Sequence, residues 1–126
     1  MVRLRNRWRD NHFIHVEHGS LEAGPIQHGW RSANWAFQAV EGTPFVCIRN
    51  GMATRHGLLL HQSGLVCGLL DEDWQGAHWY LERCKGTAFM RFRNRWRQDC
   101  YIHCETGSLE ATPVKTAWLS AQWQGI

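Results

Sequence analysis

The chain repeats itself. The stretch RLRNRWRDNHFIHVEHGSLEAGPIQHGWRSANW, from Arg3 to Trp35, returns as RFRNRWRQDCYIHCETGSLEATPVKTAWLSAQW, from Arg91 to Trp123. Asn6 matches Asn94, Trp30 matches Trp118 and Trp35 matches Trp123, all at one spacing and without a gap. A more divergent copy lies at half that spacing, where Asn50, Trp74 and Trp79 stand. The sequence therefore divides into three tandem units of about 44 residues, 1–44, 45–88 and 89–126. A period of this length constrains the fold more than composition does. Each unit must be one supersecondary element that buries its apolar face against its neighbours.

Within a unit the apolar pattern has the period of a strand. Val2, Leu4 and Asn6 alternate with Arg3, Arg5 and Arg7, which predicts a half-buried strand from Val2 to Trp8. Arg9-Asp10-Asn11 supplies turn chemistry. Phe13 to Glu17 reads as a second strand. Ile14 and Val16 face inward, because Leu58/Leu60 and Ile102/Cys104 fill those slots in the other copies, and Phe13, His15 and Glu17 face outward. Leu21 and Ala23 begin a third strand that faces in and ends at Gly24-Pro25. A loop through Gln27, His28 and Gly29 reaches Trp30. Trp35, Phe37 and Ala39 form the inward face of a fourth strand, closed by Glu41-Gly42-Thr43-Pro44. Four short strands in each of three units, with no helical pattern, predict an all-β chain. The architecture that fits is a β-trefoil, a six-stranded barrel capped by three hairpins with pseudo-threefold symmetry. Propellers also repeat four-stranded units but usually need four or more blades.

At 126 residues and 44% apolar content the chain is one domain with enough material for a core, and 20% charged residues argue against disorder. No apolar run approaches the ~20 residues that a membrane-spanning helix needs. The N-terminus runs straight into RLRNRW with no secretory leader. The expectation is a cytoplasmic protein or a module of a larger one, with secretion left open. Five cysteines without CxxC spacing do not make a disulfide framework. Cys67 takes the slot of Ala23 and Ala111, Cys104 that of Val16 and Leu60, and Cys84 that of Val40, so they read as reduced, buried hydrophobes.

Comparison of the copies separates fold from function. Asn6, Trp30 and Trp35 recur in every unit and read as packing, with Trp30 and Trp118 also placed to wall a pocket. Asn6 faces inward, where a buried amide must find backbone partners. Phe13, His15, Glu17 and Arg7 recur only in unit three, as Tyr101, His103, Glu105 and Arg95; unit two holds Gly57, Leu59, His61 and Gly51. A hairpin centred on residue 10 sets Arg5 across from His15, Arg7 from Phe13 and Arg3 from Glu17, and sets Arg93 across from His103. An aromatic ring to stack on the C–H face of a pyranose, with charged groups for its hydroxyls, is the equipment of a sugar site. His12, His15 and His18 scatter over both faces of a strand and no zinc-type quartet appears, so no metal is expected. No nucleophile elbow or Ser/His/Asp grouping points to an enzyme.

The segments FIHVEHG and YIHCETG and the closing SANW and SAQW, in a unit of about 44 residues, resemble the ricin-B-like β-trefoil lectin superfamily. The usual Gln-x-Trp of that superfamily is changed, with Ala33, Ala77 and Ala121 in the Gln slot, and His15 and His103 take the slot of a sugar-binding Asp. The resemblance implies binding without catalysis or cofactor, with glycans or glycoconjugates as partners.

The expected site residues are Phe13, His15, Glu17, Trp30 and Ser32 in unit one and Tyr101, His103, Glu105, Trp118 and Ser120 in unit three. Arg5, Arg7, Arg93 and Arg95 assist, and unit two is silent. The alternative uses the same face. Arg3 to Arg9 around Trp8, and Arg91 to Arg97 around Trp96, interleave Arg with aromatics as a binder of anionic partners would. A sulfated glycan, a nucleic acid, or a protein surface as in fascin-like trefoils would fit such a patch, although a net charge of +3 argues against nucleic acid.

Overall fold

The computed structural model describes residues 1–126. It contains twelve strands: β1 (Leu4–Asn6), β2 (Phe13–His15), β3 (Glu22–Gly24), β4 (Trp35–Ala39), β5 (Val46–Asn50), β6 (His56–His61), β7 (Gly64–Leu69), β8 (Trp79–Arg83), β9 (Met90–Asn94), β10 (Cys100–His103), β11 (Glu110–Pro113) and β12 (Trp123–Gly125). A one-turn 3-10 helix precedes the last strand of each unit, at Arg31–Ala33, Gln75–Ala77 and Leu119–Ala121, which strand periodicity alone does not reveal. No helix is long and apolar enough to cross a membrane.

Six strands close a ring. β4 pairs with β5, β5 with β8, β8 with β9, β9 with β12 and β12 with β1, and the Val2–Trp35 bridge returns to β4. The hairpins β2–β3, β6–β7 and β10–β11 cap the ring. This is the barrel-and-hairpin architecture that the repeat predicts.

The recurrent residues hold it together. Trp35, Trp79 and Trp123 are fully buried, as expected of core residues. Each indole N–H donates to a carbonyl in its own unit's second strand, that of Ile14 at 2.8 Å, Leu58 at 2.9 Å and Ile102 at 2.9 Å. Leu4, Ile48 and Phe92 fill the centre from the first strands, and Ile14, Leu58 and Ile102 close it from the hairpins. The buried Asn6 finds the backbone partners it needs. Its Oδ1 accepts the N–H groups of Trp8 at 3.1 Å and Arg9 at 3.0 Å, and its Nδ2 donates to the Ser120 carbonyl of another unit at 2.9 Å. Asn50 and Asn94 do the same, donating to Ser32 and Gly76. All five cysteines are free, and all but Cys67 are buried.

Three expectations need correction. The first strand is shorter than Val2–Trp8, because the Asn6 side chain takes the N–H groups that a longer strand would pair. Ala39 is exposed, since β4 runs out of the barrel past Phe37. The hairpin register is also two residues off. Arg5 pairs with Phe13, not His15, and Arg93 with Tyr101, not His103. The Asn6 clamp starts the turn early, and Asn6 N–H already donates to the His12 carbonyl at 2.9 Å.

Candidate functional site

The loop that enters each 3-10 turn lays a tryptophan over the second strand. In unit one the Trp30 ring lies 5.3 Å from that of His15, centroid to centroid, and in unit three Trp118 lies 5.3 Å from His103. These histidines are not the exposed groups that an outward-facing position suggested. They are 1% and 2% exposed, because the tryptophan loops cover them.

The histidines also have a fixed tautomer. His15 Nδ1 accepts the Glu17 N–H at 3.2 Å, and His103 Nδ1 accepts the Glu105 N–H at 3.1 Å. A ring whose Nδ1 is an acceptor carries its proton on Nε2. In unit three that Nε2–H donates to Thr112 Oγ1 at 2.6 Å. In unit one the matching residue is Gly24, and His15 Nε2 instead faces Glu22 Oε2 at 3.8 Å, beyond hydrogen-bond reach. Each imidazole therefore donates from Nε2 and does not accept there, so neither ring has a nitrogen free to accept a sugar hydroxyl.

Burial is the main influence on both rings and lowers their pKa values below the usual 6.5. At His15, Glu22 and Glu17 pull upward while His18 pushes further down. At His103, Glu110 and Glu105 pull upward. Arg5 and Arg93 are not among the causes, because they pair with Phe13 and Tyr101 and not with the imidazoles.

The carboxylates are held in place. Ser32 Oγ donates to Glu17 Oε1 at 2.7 Å, and Ser120 Oγ to Glu105 Oε1 at 2.7 Å. Both serines are buried in the 3-10 turn beside the tryptophan. The structure thus brings together His15, Glu17, Trp30 and Ser32, and repeats the arrangement in His103, Glu105, Trp118 and Ser120. Each group offers a half-exposed indole, an oriented carboxylate and a buried imidazole as floor.

The remaining expected residues lie elsewhere. Phe13 sits opposite Arg5 and Gly24 in the hairpin. Tyr101 donates to Glu82 Oε2 at 3.1 Å, in a separate pocket with Arg91 and Thr116. The arginines brace one unit against another. Arg5 donates to Gln124 Oε1 at 2.8 Å and Arg7 to Gln122 Oε1 at 2.7 Å. Arg93 lies over the Tyr80 ring at 5.0 Å and Arg95 over the Phe45 ring at 4.7 Å.

Sequence reasoning missed His18 and Glu22, which stand at the rim of the unit-one cluster, with His18 Nδ1 3.4 Å from Glu22 Oε2. The signal was present, since Glu22 recurs as Glu110. His15, His18 and Glu22 offer ligand atoms all within 4.8 Å of one another, a spacing that would suit a metal ion. The tautomer opposes that use. With Nδ1 engaged and the proton on Nε2, His15 has no lone pair to give a metal.

No protein-family model matches the chain, and no curated protein sequence matches it. Solved structures do. The designed threefold symmetric protein ThreeFoil aligns over 99% of this chain and 96% of its own, with a TM-score of 0.83 and 11% identity. SeviL, solved bound to asialo-GM1 saccharide, aligns over 99% of this chain and 94% of its own, with a TM-score of 0.81 and 16% identity. The fold is a β-trefoil. A GlcNAcα1-4Gal-releasing endo-β-galactosidase from Clostridium perfringens matches 99% of this chain at a TM-score of 0.87 and 26% identity. This chain spans only 32% of that enzyme's length, and only 16% of a mosquitocidal holotoxin that it also resembles. Of these four structures, the two of nearly equal length are a saccharide-bound protein and a designed one, while the enzyme and the holotoxin are much longer than this chain.

Proposed function

We propose that the chain is a non-catalytic carbohydrate-binding module, an atypical relative of the ricin-B-like trefoil lectins, with like sites in units one and three. One observation carries the reading. A half-exposed indole lies beside a carboxylate fixed by a buried serine, twice, with the same 2.7 Å bond. Such a carboxylate accepts hydrogen bonds from a pair of sugar hydroxyls without first giving up rotamer freedom. The indole takes the apolar face of the ring. His15 and His103 act beneath this surface as positioning residues that support the tryptophan and hold the Glu17 and Glu105 backbone. The saccharide bound by SeviL, and the GlcNAcα1-4Gal-releasing activity in the name of the longer clostridial enzyme, support glycans as the ligand class. The arginine patch is the weaker reading, because Arg5, Arg7, Arg93 and Arg95 already have partners within the protein.

A glycan array at two salt concentrations, run with the parent and with a Glu17→Gln/Glu105→Gln variant, tests this. The expected result is binding to neutral glycans that salt barely alters and that falls at least ~tenfold in the variant. Binding confined to sulfated glycans and falling steeply with salt would instead favour the arginine patch. Binding unchanged in a folded variant would overturn the carboxylate's role.

A further inference from the structure

Unit two lacks the histidine, glutamate and serine that build the cluster in its neighbours, yet it keeps the loop tryptophan. Leu59 replaces the histidine, His61 the glutamate and Gly76 the serine. With no side chain at Gly76, the Trp74 ring settles over the backbone there, and a Cβ at Gly76 would collide with Trp74 Nε1. That indole N–H is buried and has no acceptor. The position of the ring is therefore not set by its own polar group, and such an orphan calls for an explanation.

Aromatic neighbours supply one. Trp96, from the turn between β9 and β10, lies 5.0 Å from Trp74, centroid to centroid, with the two rings inclined at 49°. His61 stacks on Trp74 at 6.4 Å and 25°. The result is an aromatic corner that straddles units two and three. His61, Gln62, Ser63, Trp74 and Trp96 line an open concavity of about 390 Å³ there. The other junctions have no such corner. Met52 takes the slot of Trp96 at one, and at the other Trp8 is 44% exposed; Arg9 lies over the Trp8 ring at 4.6 Å, as Arg97 lies over that of Trp96 at 4.4 Å.

We propose that the Trp74–Trp96 corner is a third carbohydrate subsite, which binds one neutral pyranose by stacking. Two inclined indoles contact the C–H face and one edge of a six-membered ring together, which a single exposed tryptophan cannot do. Gln62 and Ser63 at the rim supply an amide and a hydroxyl for the sugar's own hydroxyls. No Asp, Glu, Lys or Arg lines the concavity itself, and the cation beside it, Arg97, lies over the Trp96 ring at 4.4 Å. The subsite differs in kind from those of units one and three, which carry a carboxylate. It discriminates less between epimers, because stacking reads the face of the ring more than the direction of each hydroxyl. The inference shares only its ligand class with the function proposed above.

The test follows the eight indole N–H resonances of the 15N-labelled protein during titration with methyl glycosides of galactose, glucose and mannose. Trp30→Phe, Trp74→Phe, Trp96→Phe and Trp118→Phe assign the peaks and show that the remaining indoles keep their folded positions. The expected result is saturable movement of the Trp74 and Trp96 peaks that persists in Glu17→Gln/Glu105→Gln. Trp96→Ala should weaken binding at the corner at least ~tenfold. If Trp30 and Trp118 respond while Trp74 and Trp96 stay still, the corner is not a subsite and the two-site reading stands. If only Trp74 and Trp96 respond, the corner stands and the two-site reading falls. If no indole responds to any of the three glycosides, both are overturned.

Discussion

His15 and His103 lie beneath the Trp30 and Trp118 rings, and that burial decides their chemistry. Their recurrence, and their loss as Leu59 in unit two, marked them in the sequence. Their burial was not legible, because the tryptophan that covers each one comes from a loop 15 positions further on in its unit. Burial also fixes the pH response. Both rings bind a proton less readily in the folded state than in the unfolded chain. Stability from this source is fully present above pH ~6.5 and is lost as pH falls below that value towards the lowered folded pKa. Protonation at Nδ1 would also expel the Glu17 or Glu105 N–H. Denaturation midpoints should therefore drop as buffers go from about pH 7 to about pH 5, and the His15→Leu/His103→Leu variant should show a flatter profile. Equal slopes in the two proteins would refute the assignment. The thiols give a second expectation at this scale. Burial pushes Cys67 and Cys104 up to about 11, and burial together with Asp99 does the same for Cys100. Thiolate is then on the order of one molecule in a thousand at pH ~8. Alkylation should be slow in the native protein and complete after unfolding, with no mass change on prior reduction.

Among the elements, the Asn clamp explains both what the sequence revealed and what it hid. An inward asparagine at one position of three copies announced a turn with backbone bonds, and Asn6, Asn50 and Asn94 supply it. The extent of the clamp was hidden. By taking two N–H groups just beyond the strand it starts the hairpin early, so a register drawn by symmetry about residue 10 missed by one pleat repeat. A two-residue error keeps every side chain on its face, so the core was assigned well while the partners of Arg5 and Arg93 were not. Each clamp also staples one unit to another. Asn94 accepts from Trp96 and Arg97 N–H and donates to the Gly76 carbonyl, with no exposure to solvent. Asn94→Ala would strand those groups and should cost at least ~3 kcal/mol in urea unfolding. A loss below about 1 kcal/mol would mean that water replaces the amide and the staple is not needed.

At the scale of the whole molecule the repeat determined the architecture, because three copies of four strands have few ways to bury one face each. The seam is where symmetry and covalent connection part. β12 pairs with β1, and Arg3 and Ile126 exchange two backbone hydrogen bonds of 2.9 Å. Removing residues 123–126 would open the ring and expose Trp123's place in the core, so the truncated chain should not fold, as judged by loss of cooperative melting. A circular permutant cut in the exposed turn at Gly42, with the old ends joined by a short linker, should fold because its ring stays closed. The same seam has a mechanical consequence. Leu4 lies across from Gly125 and Asn6 across from Trp123, so a pull on the two ends loads the outermost pair first and then the next, as in opening a zipper. Force applied through the ends meets one rung at a time and never the whole seam in parallel. In an optical trap the domain should yield at a lower force when held by its ends than when held across β5 and β9, however stable it is in denaturant.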